Sequence, residues 1–148
     1  MDIYKILLES HSGLRYVVLL LIIIALVQSL IGWLGQKPYT EGNRKINMFA
    51  MVSAHIQFVL GIILYFYSPF VKTDDMAGAM KDSASRYWTV EHAVMMLLAI
   101  VLFTIGHSRS KKIAEAVGKH RSITIFYGLG ILLIIVAIVQ SGRPFIGR

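Results

Sequence analysis

Four of the five histidines in this chain fall inside or at the ends of long apolar blocks: His11, His55, His92 and His107. The fifth, His120, sits in a basic stretch and reads as a solvated loop residue. An ionisable side chain in membrane-length apolar sequence is costly, and by default it marks a functional site. Neutral imidazole is a common metal ligand. The chain has no cysteine, so thiolate metal sites, iron–sulfur clusters and disulfides are excluded. Imidazole and thioether remain as donors. Met76, Met80, Met95 and Met96 flank or follow His92, and Met48, Met51 and His55 fall near one helical face. Such a set suits Cu(I), although methionine also fills apolar gaps without any metal. Hydrolytic chemistry has no support, because there is no Gly-x-Ser-x-Gly elbow, no HExxH and no phosphate loop. Ser10, His11 and Ser12 are contiguous, and adjacent residues on a helix diverge by about 100°.

The elements that must carry these histidines follow from composition. The chain is 56% hydrophobic and only 16% charged over 148 residues, against about 25% charged in soluble domains. Its mean hydropathy is +0.66. A domain of this size has too little interior to hide that much apolar surface. The apolar residues form blocks at Tyr16–Leu34, Met48–Tyr67, Trp88–Gly106 and Ile123–Val139. Each has about the length a helix needs to cross roughly 30 Å of hydrocarbon, and only helices satisfy their own backbone in lipid without barrel closure. The expectation is an all-α, integral membrane four-helix up-down bundle, a single domain over residues 1–148, with spans at 14–34, 47–67, 88–107 and 122–141. Asp2, Glu9, Lys5 and Arg15 precede the first block and no small-x-small site follows it, so it reads as a retained span.

An even number of spans puts both termini on one side. The loops on the other side, Gly35–Ile46 and His107–Ser122, are short and basic, with Lys37, Arg44, Lys45, Arg109, Lys111, Lys112, Lys119 and Arg121. The positive-inside rule places them in the cytoplasm and both termini outside. The net charge of +7 then reflects topology and contact with anionic headgroups of the lipid bilayer, and calls for no nucleic acid. The segment Ser68–Tyr87 is the longest connection and is expected to be mobile or to hold a short interfacial helix.

His92 and His107 are 15 residues apart on one span. That is roughly 22 Å along the axis and about 60° around it, so they point to broadly the same side near opposite faces. Such a helix resembles the haem-bearing helices of membrane b-type cytochromes. The stretches HSGLRY, AHIQFVLGIILYF, EHAVMM and IGHSRSKK, spread over nearly the whole chain, resemble those of small bacterial inner-membrane proteins of the cytochrome b type and, more distantly, four-helix cytochromes of the b561 kind. The resemblance implies haem b held by His11, His55, His92 and His107, in the bacterial inner membrane, with both termini periplasmic. By depth, His11 pairs with His92 and His55 with His107, although each pair is out of register by roughly 12 Å. One haem or two therefore both remain open. The fourth span carries no histidine, unlike the family's layout.

Bis-histidine iron has no open coordination site and transfers electrons. The expected role is electron transfer between quinol, with quinone as a further cofactor, and a membrane or periplasmic partner protein. Arg15 lies one turn from His11 and is either a propionate partner or an interfacial anchor. Arg86 and Arg143 are on the same side. Glu91 suits the first turn of its helix. Two other functions stay open: a copper-handling membrane protein, and a haem-free accessory or assembly subunit. Small residues (Gly32, Gly35, Gly61, Gly128, Gly130) favour close helix contacts under every reading, and a homo-oligomer also stays open.

Overall fold

A computed structural model describes residues 2–143. The described chain is helical, with no strand. Four helices are long and apolar enough to cross a membrane: α1 (Ile3–Leu34), α2 (Glu41–Tyr67), α4 (Ser83–Lys112) and α5 (Ala116–Ser141). A short α3 (Met76–Lys81) occupies the long connection. The chain is thus a multi-pass four-helix membrane protein. All four helices begin several residues before their apolar blocks, and α4 also runs on past the end of its block to Lys112.

Capping explains the early starts of α1, α2 and α4. Asp2 accepts from the Lys5 amide, so α1 begins eleven residues before its predicted span. Thr40 and Asn43 form a reciprocal capping box at the start of α2. Asp82 accepts from both the amide and the hydroxyl of Ser85, starting α4 at Ser83. The 32 residues of α1 span about 48 Å, longer than the hydrocarbon layer.

The helices form a ring in the order α1, α2, α4, α5, with sequential neighbours antiparallel and α5 closing against α1. α1 and α4 are therefore diagonal, as are α2 and α5. Large apolar side chains point outward: Leu20, Phe66, Leu132 and Val139 are all more than half exposed. Only 11% of the most apolar window of α2 is buried, so this helix spends most of its surface on lipid. The interior is narrow, and small residues make it so. Ala25, Ala50, Ala54 and Ala99 are buried beside Val18, Ile22 and Ile123. Phe103 stacks edge-on against Tyr127, with ring centres 5.4 Å apart, and its ring lies where a side chain at Gly130 would be.

The end of the bundle with the two short loops is cross-linked by polar side chains. Tyr127 donates to the Asn47 carbonyl at 2.6 Å, across the α2–α5 diagonal. Gln28 donates to Asn47 and to the Asn43 carbonyl, both at 3.1 Å, and accepts from Asn43 at 3.0 Å. Asn47 donates to the Tyr39 hydroxyl at 2.8 Å. His120 belongs to this end and corrects its reading as a solvated residue: it is 1% exposed. The reason is local. α5 begins at Ala116, so the basic stretch forms its first turns, and Gly32 of α1 leaves a slot that the imidazole fills. There the ring meets Tyr39 edge-on at 5.0 Å, and its Nε2 lies 3.0 Å from the Pro38 carbonyl.

Gly130→Val should destabilise the bundle by about 1–3 kcal/mol, because the new side chain would displace the stacked Phe103 ring. Gly128→Ala is the control: its Cβ would meet Leu26 at an ordinary 3.7 Å, so stability should stay within about 0.5 kcal/mol. Unfolding of both variants in detergent, followed by helical circular dichroism, checks the contrast.

Candidate functional site

At the opposite end, near the termini and the long connection, the four helices enclose a cavity of about 450 Å³. That volume falls within the roughly 300–1,000 Å³ typical of cofactor sites. Its floor is the packed centre of the bundle, Val18, Ala54, Ala99 and Phe103. Its polar lining includes His11 and Arg15 from α1, Gln57 from α2, Tyr87 and His92 from α4, and Arg143 after α5, together with several serine and tyrosine hydroxyls.

His11 and His92 thus face one cavity from diagonal helices, and two contacts bring α1 and α2 into register for it. Gln57 donates to the His11 carbonyl at 2.7 Å. Gly61 lets α2 pass beside the imidazole, where a Cβ would lie 3.2 Å from Cε1. The His11 Nδ1 and the Gln57 Oε1 are buried and have no hydrogen-bond partner among the described residues.

His92 is aimed by a feature with no sequence signature. Residues Tyr87–Glu91 form a π-helical turn within α4. Such turns insert one extra residue and recur at functional sites. The turn is held from outside: Tyr65 donates to the Thr89 carbonyl at 2.7 Å, and the Lys72 amide donates to the Thr89 hydroxyl at 2.9 Å. It also sets Tyr87, which is 5% exposed, beside His92.

The Tyr87 hydroxyl has one proton, and it donates that proton to the Ala137 carbonyl at 2.5 Å. Toward the His92 Nδ1, 3.3 Å away, it can only accept. Nδ1 therefore carries the N–H, and Nε2 keeps its lone pair. This is the second-shell arrangement that prepares an imidazole for metal ligation. Trp88 flanks the same ring at 5.3 Å.

The two arginines at the cavity differ in support. Arg15 donates to the Tyr16 hydroxyl at 3.1 Å and lies over that ring. Arg143 lies 4.6 Å from the Trp88 ring centre and 5.9 Å from that of Phe70. Arg86, also expected near the site, does not line the cavity. It pairs with Glu91 at 2.7 Å and donates to the Met80 carbonyl at 3.3 Å. That pairing also gives Glu91 its role.

The other two histidines lie elsewhere. The Thr104 hydroxyl donates to the Ile100 carbonyl at 2.8 Å and so accepts from His55 Nε2, also at 2.8 Å. Thr104 is one turn before His107 on α4, so His55 and His107 are closer in depth than their sequence positions suggest. His107 is 2% exposed at the short-loop end, and its Nδ1 has no partner among the described residues. Neither lines the cavity. Among the described residues, no group of three or more His, Cys, Asp or Glu could hold a metal ion. Of the methionines considered with the histidines, Met96 lines the cavity, while Met76 and Met80 are exposed on α3.

His11 and His92 are the residues that would hold a planar metal-bearing group in this cavity. One imidazole has its tautomer set by Tyr87, a second buried imidazole has an unpartnered nitrogen, and Gly61 clears the space beside it. Sequence reasoning identified both histidines and Arg15. It missed Tyr87, Gln57 and Gly61 as parts of the site, since a tyrosine five residues before a histidine shares its face only when a π turn intervenes. Comparison with protein-family models, curated proteins and solved structures finds no match to this chain.

Tyr87→Phe should remove the acceptor at His92 Nδ1 and shift that ring toward the Nε2–H tautomer. Histidine ¹⁵N chemical shifts of the purified protein, assigned with His92→Gln, check this.

Proposed function

We propose that the chain is a membrane b-type cytochrome that holds one haem b between His11 and His92. The observation that carries this reading is the convergence of two imidazoles from diagonal helices on one cavity, one of them with its tautomer set by Tyr87. Haem held there by His11 and His92 would supply one-electron transfer.

The chain's own residues do the rest. Tyr87 presents the lone pair of His92, and Gln57 holds α1 so that His11 faces the same space. Arg15 and Arg143 are the cations at the cavity that would meet the two propionates. The apolar walls keep water from the centre and raise the weight of those few charges. His55 is engaged by Thr104, and His107 sits at the other end, which favours one haem over two.

The expected exchange partners are a quinol dissolved in the bilayer and a membrane or periplasmic protein, because the helices that line the cavity have membrane-spanning length and composition. The density of Lys and Arg in the two short loops supports a bacterial inner-membrane orientation with both termini in the periplasm.

The test is the absorbance spectrum of protein purified from haem-replete cells, oxidised and then reduced, with haem quantified per chain. Sharp low-spin b bands at about one haem per chain are expected. His11→Ala and His92→Ala should abolish them, and His55→Ala and His107→Ala should leave them. Second-shell losses run to roughly 10–100-fold in affinity, so Tyr87→Phe should weaken haem retention by that order. A colourless protein, or bands that depend on His55 and His107 instead, would sink the reading.

A further inference from the structure

The short-loop end carries a second, smaller cavity of about 260 Å³, lined by Tyr39, Thr40, Glu41, Arg44, Lys111 and Lys119. We infer that it binds a phosphate ester, the anionic headgroup of a membrane phospholipid. This inference is independent of the haem reading.

Three helices deliver the cations: Arg44 from α2, Lys111 from α4 and Lys119 from α5. The helix dipole favours only one of them, although Arg44 also pairs with Glu41 within its own helix and Lys119 satisfies the Ser110 carbonyl in the last turn of α4. Lys111 is in the last turn of α4, where the dipole favours a cation. Arg44 and Lys119 each stand in the fourth position of a helix, near its N-terminus, where the dipole opposes a positive charge. An anion in the cavity would reverse that opposition.

The cations are positioned. Lys119 donates to the Ser110 carbonyl at 2.8 Å and lies 5.8 Å from the Tyr39 ring centre. Arg44 is held in a side-chain pair with Glu41. Lys111 has no hydrogen bond or ion pair among the described residues and is free to meet a ligand. Three cations against one carboxylate leave the cavity with an excess of two positive charges, which suits a singly or doubly charged phosphate.

The start of α2 adds neutral donors. The capping box uses the Asn43 amide, and the Arg44 amide returns to the Thr40 carbonyl. The Glu41 and Gly42 amides, at the first two helical positions, have no intrahelical acceptor.

The surroundings favour a lipid as the source of the phosphate. α2 exposes Phe49, Val52 and Ile56 as an apolar stripe that begins little more than one turn along the axis from Arg44, about 110° around the helix from it. Acyl chains can lie along that stripe while the headgroup meets the cations.

The test is native mass spectrometry of the full chain, released from micelles doped with phosphatidylglycerol or phosphatidylcholine. The wild type should retain phosphatidylglycerol roughly tenfold more than phosphatidylcholine. Lys111→Gln with Lys119→Gln should lose that preference, and Lys111→Arg with Lys119→Arg should keep it. Helical circular dichroism identifies any variant that has failed to fold, and the arginine pair then decides. A glutamine pair that folds and still prefers phosphatidylglycerol overturns the proposal, as does equal retention of the two lipids by the wild type. Inorganic phosphate at millimolar concentration should leave the bound lipid in place. Displacement by phosphate, with the same lysine dependence, overturns the lipid as ligand and assigns the cavity to a soluble phosphate.

Discussion

The Tyr127 hydroxyl on the Asn47 carbonyl, with the ring of the same tyrosine stacked on Phe103, ties the bundle together at one end. Lipid offers no hydrogen bonds, so a polar group buried here must find its partner in the protein. The side-chain network of Gln28, Asn43, Asn47 and Tyr39 meets that demand across α1, α2 and the loop between them. Gly32 and Gly130 bring the backbones close enough for aromatic and imidazole rings to fill the gap. With the short-loop end closed in this way, the open space between the helices lies toward the other end.

That open space has chemistry because of a local irregularity in α4. The π turn at Tyr87–Glu91 costs regular backbone bonding, and Tyr65 and Lys72 of neighbouring segments compensate by capturing Thr89. In return, Tyr87 reaches both the Ala137 carbonyl and His92. One hydroxyl thereby couples α5, α4 and the imidazole. The diagonal placement of α1 and α4 matters equally, since adjacent helices would pack too closely to leave a cavity between their histidines.

The two ends divide the labour of a small membrane protein. One holds two imidazoles and two arginines around an apolar cavity; the other gathers cations from three helices around a smaller one. Buried cross-links separate them, so a change at one end need not disturb the other.

The sequence alone determined the class of fold. Four apolar blocks of membrane length, each successive span crossing in the opposite direction, point to an up-down helical bundle. Depth in the sequence also pairs His11 with His92 and His55 with His107, each out of register, and the structure brings His11 and His92 to one cavity that His55 and His107 do not line. Three things only the tertiary structure decided: the rotation of each helix, the irregularity in α4, and the fate of each polar side chain. Arg86 and Arg143 are equivalent in sequence terms, and only the contact with Glu91 draws Arg86 away from the cavity. His55 is as apolar in its surroundings as His92, and only Thr104 engages it. His120 reads as a loop residue until Gly32 is placed opposite it. The physical reason is common to all three. A helix in lipid is apolar on every face, so no alternation of polar and apolar residues records which face turns inward. Small residues and single hydrogen bonds between distant segments decide that, and they exist only once the helices have packed.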